Sequence, residues 1–188
     1  MTESIDSRAE RERKVQLLTD AGMDPNPAHT GQTHEISAVI ASFDALKESG
    51  EFVTIAGRIM AIRGHGALMF LDVYDGTGKL QAFCSQETLG EEKLMLLEAT
   101  MNAGDFIAVT GTAYTTQRGT QAVNVSDWKV LAKALIAIPT EHFGIKDEDE
   151  RYRKRYLDML LDPELQDLIC KRTLFWDTTR AFMKHHGF

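Results

Sequence analysis

The sequence predicts a mainly β fold with flanking helices, in which five strands form a small barrel. The hydrophobic period changes from the helical value of about 3.6 residues to the strand value of about 2 near residue 52. Two turn sequences, Asp75-Gly-Thr-Gly78 and Thr116-Gln-Arg-Gly119, each separate two stretches that are rich in β-forming residues. A single amphipathic stretch with helical spacing lies between the third and fourth predicted strands.

Each predicted element follows from its local pattern. The strands are expected at residues 52–62, 69–74, 80–84, 106–114 and 122–131, and the helix between the third and fourth strands at residues 91–102. Three strands, a helix and two strands is the element order of the OB fold, a five-stranded Greek-key β-barrel. OB folds bind oligonucleotides or oligosaccharides on the face of their second and third strands.

Helical patterns flank the predicted barrel on both sides in the chain. Apolar spacing predicts helices at residues 7–21, 36–49 and 163–186, and the first two are followed by Gly22 and Gly50. Residues 22–31 have the Gly, Pro and Asn content of a linker. The predicted organisation is a helical extension (1–50), the barrel (51–137), a linker (138–162) and a final helical segment (163–188).

Composition limits the classes of function. The chain has 188 residues, a net charge of −7 and 43% hydrophobic residues, so it should form a globular core and not coat nucleic acid through bulk charge. Cys84 and Cys170 have no spacing typical of a disulfide framework or a zinc site, and two buried thiols in a reducing cytoplasm are expected. No apolar run predicts a membrane span or a signal peptide, so a cytoplasmic location is expected.

Alternation along the hairpin at Gly76-Thr77 predicts which side chains face outward. With a tight turn, the apolar set faces the barrel interior: Leu71, Val73, Leu80, Ala82 and Cys84. The outer face then carries a mixture of aromatic, amide and charged side chains: Phe70, Asp72, Tyr74, Lys79, Gln81 and Phe83.

This outer face suits an unpaired base. Phe70 and Phe83 offer rings on which bases stack, and the Gln81 amide can pair with a base edge such as that of uracil. The alternative is structural, because the N-terminal helices could simply cover an outward Phe70.

Several strings make the chain resemble the anticodon-binding region of class II lysyl-tRNA synthetases. These are Gly22-Met-Asp-Pro-Asn-Pro27, Val53-Thr-Ile-Ala-Gly-Arg58 and, most specifically, Tyr152-Arg-Lys-Arg-Tyr-Leu-Asp158. The resemblance implies an enzyme that ligates lysine to tRNA(Lys) with ATP and Mg²⁺, as a homodimer without membrane contact. It implies that residues 163–188 begin the catalytic domain and stop within the motif 1 helix.

The resemblance also implies roles for individual residues. Family members stack the central anticodon base on the residue that matches Phe70, read its edge with the match of Gln81, and use the match of Arg63 at the anticodon. Phe83, Lys79 and Asn124 complete the expected anticodon-binding set.

One position departs from the family pattern. Where family members commonly place Glu after the glycine of the turn between strands 4 and 5, this chain has Thr120. Gln117, Gln121 or Asn124 could substitute for that Glu, and the sequence does not choose among them.

The sequence leaves some interpretations open. The basic run Arg151–Arg155 is either a patch for RNA phosphates or a structural joint, and the resemblance favours the joint. The motif 2 and motif 3 segments that hold ATP are absent, so this chain alone is expected to be catalytically inactive, with no catalytic or metal residue of its own. Two alternative functions remain: the anticodon domain of an aspartyl- or asparaginyl-tRNA synthetase, and a freestanding single-strand binder.

Overall fold

A computed structural model describes residues 7–139, 145 and 147–188. The chain divides into two compact units, Met1–Ala137 and Ile138–Phe188. The first unit contains, in chain order, α1 (Arg8–Asp20), α2 (Ile36–Ala41), α3 (Phe43–Ser49), β1 (Phe52–His65), β2 (Leu68–Tyr74), β3 (Lys79–Ser85), α4 (Gln86–Leu89), α5 (Glu91–Thr100), β4 (Phe106–Thr115) and β5 (Gln121–Ala132). The second unit contains α6 (Glu148–Arg153), α7 (Arg155–Leu161) and α8 (Pro163–His185).

The five strands close into a barrel in the order β1-β2-β3-β5-β4. Every pairing is antiparallel except that between β3 and β5, which is parallel. The parallel pair arises because α4 and α5 carry the chain away from β3 before β4 begins. The predicted five-stranded barrel with flanking helices is confirmed.

Strand β1 is long because it serves two neighbours. Its first half, to Arg58, pairs with β4, and its second half, from Arg58, pairs with β2. The strand passes from one neighbour to the other beside Gly57, where an added Cβ would lie 2.6 Å from the carbonyl oxygen of Tyr74. A residue without a side chain is therefore required at this close approach.

The predicted register of the β2–β3 hairpin is confirmed. Phe70 pairs with Phe83 and Asp72 with Gln81, while the alternate positions are buried inside the barrel. The buried set is the predicted one: Leu71, Val73, Leu80, Ala82 and Cys84. Because side chains alternate along a strand, burying this set necessarily turns the aromatic and polar set outward.

One predicted helix is wrong in detail. Residues 36–49 form two short helices, α2 and α3, and not one continuous helix. The break lies at Ser42, whose φ of −106° and ψ of 17° depart from helical values and whose hydroxyl donates to the carbonyl of Ala38 at 2.7 Å. The local side-chain hydrogen bond competes with helix continuation, as serine commonly does.

The second unit is helical throughout its regular structure. The predicted helix at residues 163–186 is present as α8, which begins after Asp162 because that carboxylate accepts hydrogen bonds from the backbone N–H groups of Glu164 and Leu165. Part of the predicted linker forms α6 and α7, while residues 140–144 and 146 lie outside the described residues. The expectation of two buried thiols is wrong, because Cys170 on α8 is exposed.

No helix among the described residues is long and apolar enough to cross a membrane.

Candidate nucleic-acid interface

An open hollow of about 880 Å³ lies on the outer face of the barrel, over β2 and β3. None of its described lining residues belongs to α1, α2 or α3, so these helices leave Phe70 and Phe83 open to the hollow. The lining residues are Arg63, Gly64, Leu68, Phe70, Asp72, Lys79, Leu80, Gln81, Phe83, Tyr114, Thr116, Gln117, Arg118, Thr120 and Gln121. We call this surface the hollow.

Three aromatic rings form a continuous row in the hollow. The ring centroids of Phe70 and Phe83 are 5.3 Å apart with the planes tilted by 42°. Those of Phe83 and Tyr114 are also 5.3 Å apart, and their planes are within 19° of parallel. All three side chains are half-buried, so each ring is supported by the barrel and still reaches the surface. We call Phe70, Phe83 and Tyr114 the aromatic row.

The Gln81 amide lies beside this row and is available for a ligand. Gln81 is the direct cross-strand neighbour of Asp72 and lies two residues before Phe83, on the same face of β3. Within the described part of the chain, no side-chain hydrogen bond holds its amide. A glutamine amide carries both donors and an acceptor, which are the groups needed to pair with the edge of a base.

Charged side chains at the hollow are mostly cationic. Arg63 donates from Nη2 to Oδ1 of Asp72 at 2.7 Å, and Arg63 remains 55% exposed while Asp72 is 14% exposed. Lys79 and Arg118 also line the hollow and are exposed. Local positive charge at this surface contrasts with the net charge of −7 of the whole chain. Local positive charge of this kind favours an anionic ligand such as a phosphate group.

The turn between β4 and β5 closes one side of the hollow. Its shape comes from backbone hydrogen bonds between Thr116 and Thr120 at 2.9 Å and from Gly119 to Thr116 at 2.9 Å. Thr120, the position of the family departure, lines the hollow and so do Gln117 and Gln121. Two glutamine amides therefore line the hollow in the same part of the chain as Thr120.

The hollow brings together five of the six residues predicted for the anticodon site: Arg63, Phe70, Lys79, Gln81 and Phe83. The sixth, Asn124, is the cross-strand neighbour of Phe83, but it is not among the lining residues. Its side-chain oxygen accepts a hydrogen bond from the Thr88 hydroxyl at 3.3 Å.

Sequence reasoning did not single out Tyr114. Its strand places Ala113 inside the barrel, so alternation along β4 turns Tyr114 outward. That pattern was available in the sequence, but the approach of Tyr114 to Phe83 was not, since it depends on β5 lying between β3 and β4.

The tip of the β2–β3 hairpin is tied to α2 by Asp75. Its carboxylate accepts hydrogen bonds from the backbone N–H of Ile36 at 2.8 Å, from the N–H and hydroxyl of Thr77 at 2.8 Å, and from the N–H of Gly78 at 3.0 Å. Burial raises the pKa of Asp75, but these hydrogen bonds outweigh burial and hold the pKa below its ordinary value. The ionised carboxylate thus helps to fix the strands that carry the site.

In the second unit, the basic run Arg151–Arg155 is largely neutralised by its own neighbours. Arg151 and Arg155 donate to the two carboxylate oxygens of Asp158 at 2.8 and 2.7 Å. Arg153 and Lys154 pair with acidic residues four positions earlier in the chain. The hydrogen bond from Arg151 lowers the pKa of the Asp158 carboxyl, despite its burial. The geometry favours the structural joint over a phosphate patch.

Among the described residues, no group of three or more His, Cys, Asp or Glu side chains is placed to hold a metal ion.

Comparisons with known proteins agree with the barrel. The tRNA_anti-codon model, described as an OB-fold nucleic acid binding domain, matches residues 53–131. A lysine–tRNA ligase of Roseiflexus sp. (strain RS-1) is 39% identical over 180 residues, which are 95% of this chain and 37% of that protein. A lysine–tRNA ligase of Clostridium botulinum (strain Hall) is 36% identical over 95% of this chain and 35% of its own length. The chain thus spans little more than a third of these relatives.

The match falls on the strands that build the hollow, and the similarity to lysine–tRNA ligases extends beyond them into both flanking regions. Residues 53–131 therefore match the tRNA_anti-codon model of OB-fold nucleic acid binding domains, within a chain that is similar over 95% of its length to lysine–tRNA ligases.

Proposed function

We propose that the barrel binds the anticodon loop of tRNA(Lys) and that the chain is the anticodon-recognising part of a lysine–tRNA ligase. One observation carries this proposal: one open surface of an OB-fold domain brings together stacking rings, cationic side chains and an amide that has no hydrogen-bond partner among the described residues. A single-stranded loop offers the complementary groups, namely exposed base faces, base edges and phosphates.

Each predicted residue has a role that follows from its place. Phe70 stacks on the central anticodon base, and Gln81 hydrogen-bonds the edge of that base. Phe83 supports Phe70 from the neighbouring strand, while Arg63 and Lys79 attract phosphates. The role of Asn124 is indirect, because it lies beside Phe83 and hydrogen-bonds Thr88.

The activity of the whole protein is part of the proposal. It would ligate lysine to tRNA(Lys) with ATP and Mg²⁺ as a homodimer, and anticodon binding would contribute by positioning the tRNA for a distant reaction. The described residues offer no cluster that fits a metal ion. We propose that residues 163–188 begin the catalytic domain and that these 188 residues alone do not activate lysine. Lysine-dependent pyrophosphate exchange by this chain would contradict the latter statement.

A fluorescence anisotropy titration at fixed salt tests the anticodon assignment. Labelled stem-loops would carry the anticodons UUU, GUC or a scrambled loop, because phosphate contacts alone would bind all three alike. Tighter binding of UUU is expected. Preference for GUC would move the chain to the aspartyl-type function, and equal binding would leave a nonspecific single-strand binder.

A pair of phenylalanine variants locates the contact. Phe70→Ala should weaken binding of the UUU loop by about 5- to 150-fold, the equivalent of one lost base stack. Phe52→Ala is the matched control, since Phe52 is an exposed phenylalanine of the same barrel outside the hollow. Equal affinity of the Phe70 variant and the wild type would remove Phe70 from the site.

A further inference from the structure

We propose that Tyr114 forms a second base-stacking position, so that the hollow holds two bases of the same single strand. This inference rests on the proposed function, because it assigns a second nucleotide to the same surface. Phe70 and Tyr114 are the two ends of the aromatic row, and each end would stack a different base.

The register explains why Tyr114 reaches the row from a strand that does not touch β3. Gln81 of β3 pairs with Ala122 of β5, and Ala122 pairs in turn with Tyr114 of β4. Directly paired residues share a face of the sheet, so these three side chains all point outward. Only the methyl group of Ala122 lies between the two larger side chains, and Ala122 is 0% exposed. A small residue there lets the Tyr114 ring come within 5.3 Å of Phe83.

Phe83 is the centre of the row and not one of its ends. Phe70 flanks it on one side and Tyr114 on the other, each at a centroid distance of 5.3 Å. A base therefore finds its stacking surface at the end rings, where only one side is taken by the row. Two end rings in one hollow provide for two unpaired bases, whereas a site for a single base needs only one.

Polar side chains near Tyr114 support a second nucleotide. Arg118 and Gln117, in the turn that follows β4, line the same hollow as Tyr114. Arg118 is exposed and suits the phosphate that links two nucleotides, and the amide of Gln117 suits a base edge. The ligand class is thus a single strand with two unstacked bases, as in an RNA loop.

A purely structural role for Tyr114 makes a different prediction. If the ring only holds Phe83 in place, its removal would weaken binding by the same factor on every loop, or it would lose its effect with the same loop as Phe70→Ala, because Phe83 supports Phe70. If the ring stacks on a base of its own, its removal would matter only when that base is present.

The experiment combines variants of the 188-residue chain with stem-loops that lack one anticodon base at a time. Tyr114→Ala removes the ring, Tyr114→Phe retains it, and Tyr114→Leu retains apolar bulk without a flat face. Thr112→Ala is the matched control, because Thr112 lies on the same strand and face but outside the hollow. Thermal unfolding of each variant verifies the fold.

We expect Tyr114→Ala and Tyr114→Leu to bind the complete UUU loop about 5- to 150-fold more weakly, with Tyr114→Phe and Thr112→Ala within about twofold of wild type. The loss should vanish with the loop that lacks one particular base, and Phe70→Ala should lose its effect with a different loop. If Tyr114→Ala lowers Tm strongly, the affinity of Tyr114→Leu for the loops tests the inference instead.

Wild-type affinity in both the Ala and Leu variants would overturn the inference, and so would a loss of equal factor on every loop. If Phe70→Ala binds the loop more weakly while Tyr114→Ala binds it as tightly as wild type, the proposed function would hold but Tyr114 would not be a second stacking position. Failure of the wild type to bind any loop would instead overturn the proposed function.

Discussion

Replacing Asp105 by asparagine should destabilise the barrel strongly, because this carboxylate compensates two buried cations. Asp105 is 0% exposed and accepts hydrogen bonds from the backbone N–H groups of Asn102 at 2.7 Å and Ala134 at 2.9 Å. Lys133 donates to it with a side chain that is 2% exposed, and a guanidinium nitrogen of Arg11 lies 4.0 Å away. The cluster joins α1 to the end of β5.

The magnitude follows from the charges that would be left behind. Asp105→Asn keeps the size of the side chain but leaves Lys133 and Arg11 buried without a counter-charge. Removing one partner of a buried ion pair lowers the unfolding free energy by about 3–5 kcal/mol. Since this is a large part of the stability of an ordinary domain, the variant should unfold well below the temperature of the wild type.

Urea unfolding monitored by circular dichroism measures this loss without adding salt, which would screen the charges. Lys133→Met alone and together with Asp105→Asn completes a double-mutant cycle. The double variant lacks both charges, so the cycle should show a coupling energy of about 0.5–3 kcal/mol between the two sites.

The pH dependence gives a second, independent readout. Burial lowers the pKa of Lys133 below 10.5, while Asp105 opposes that shift. Without Asp105 the folded-state pKa falls further, so the unfolded state binds more protons than the folded state as the pH rises toward 10.5. The unfolding free energy of Asp105→Asn then increases with pH over this range, so its difference from that of the wild type should become smaller at alkaline pH. The difference should not disappear, because Arg11 stays charged.

Two results would refute this reasoning. A loss below about 1 kcal/mol would mean that the cations regain water or other partners at no cost, as surface charges do. A deficit that widens as the pH rises would show that Lys133 is not the group left uncompensated.

Three further predictions concern the register, the thiols and the hairpin tip. Leu71→Ala should lower the unfolding free energy by about 2–5 kcal/mol, because Leu71 is fully buried, whereas Phe70→Ala should mainly weaken RNA binding, because Phe70 is half-buried on the outer face. The opposite outcome in thermal melting and RNA titration would indicate that the strand register is shifted by one residue. Iodoacetamide should alkylate exposed Cys170 and spare Cys84 in the native protein, since burial raises the pKa of Cys84 to about 12, and mass spectrometry of labelled peptides would reveal the reverse. The difference in unfolding free energy between wild type and Asp75→Asn should be largest near neutral pH and should disappear as the pH falls below 3.8, because the folded-state pKa of the Asp75 carboxyl is lowered. A difference that stays constant with pH would contradict this prediction.

Local patterns predicted most of the barrel. Alternation placed Leu71 inside and Phe70 outside, and the turn at Gly76-Thr77 set the pairing of β2 with β3. These features are predictable because a strand has a period of about 2 and a hairpin pairs residues that are close in the chain. The break at Ser42 was missed because one side-chain hydrogen bond decides it against a pattern that suits a continuous helix.

These local patterns could not predict contacts between distant parts of the chain. Nothing local to Asp105 indicates that Arg11 approaches it from α1, since 94 residues separate the two positions. The exposure of Cys170 was likewise missed, because an apolar spacing along a helix does not say whether another element packs against it.

By itself, the sequence determined the five strands, their inward and outward faces, the likeness to lysyl-tRNA synthetases and the outward position of Phe70 and Gln81. Only the tertiary structure decided that α1 is tied to the barrel through buried charges and that Tyr114 completes the aromatic row. The physical reason is the distance along the chain over which each interaction acts. Side-chain period and turn chemistry act over a few residues, whereas barrel closure places β5 between β3 and β4 and is set by the packing of the whole domain.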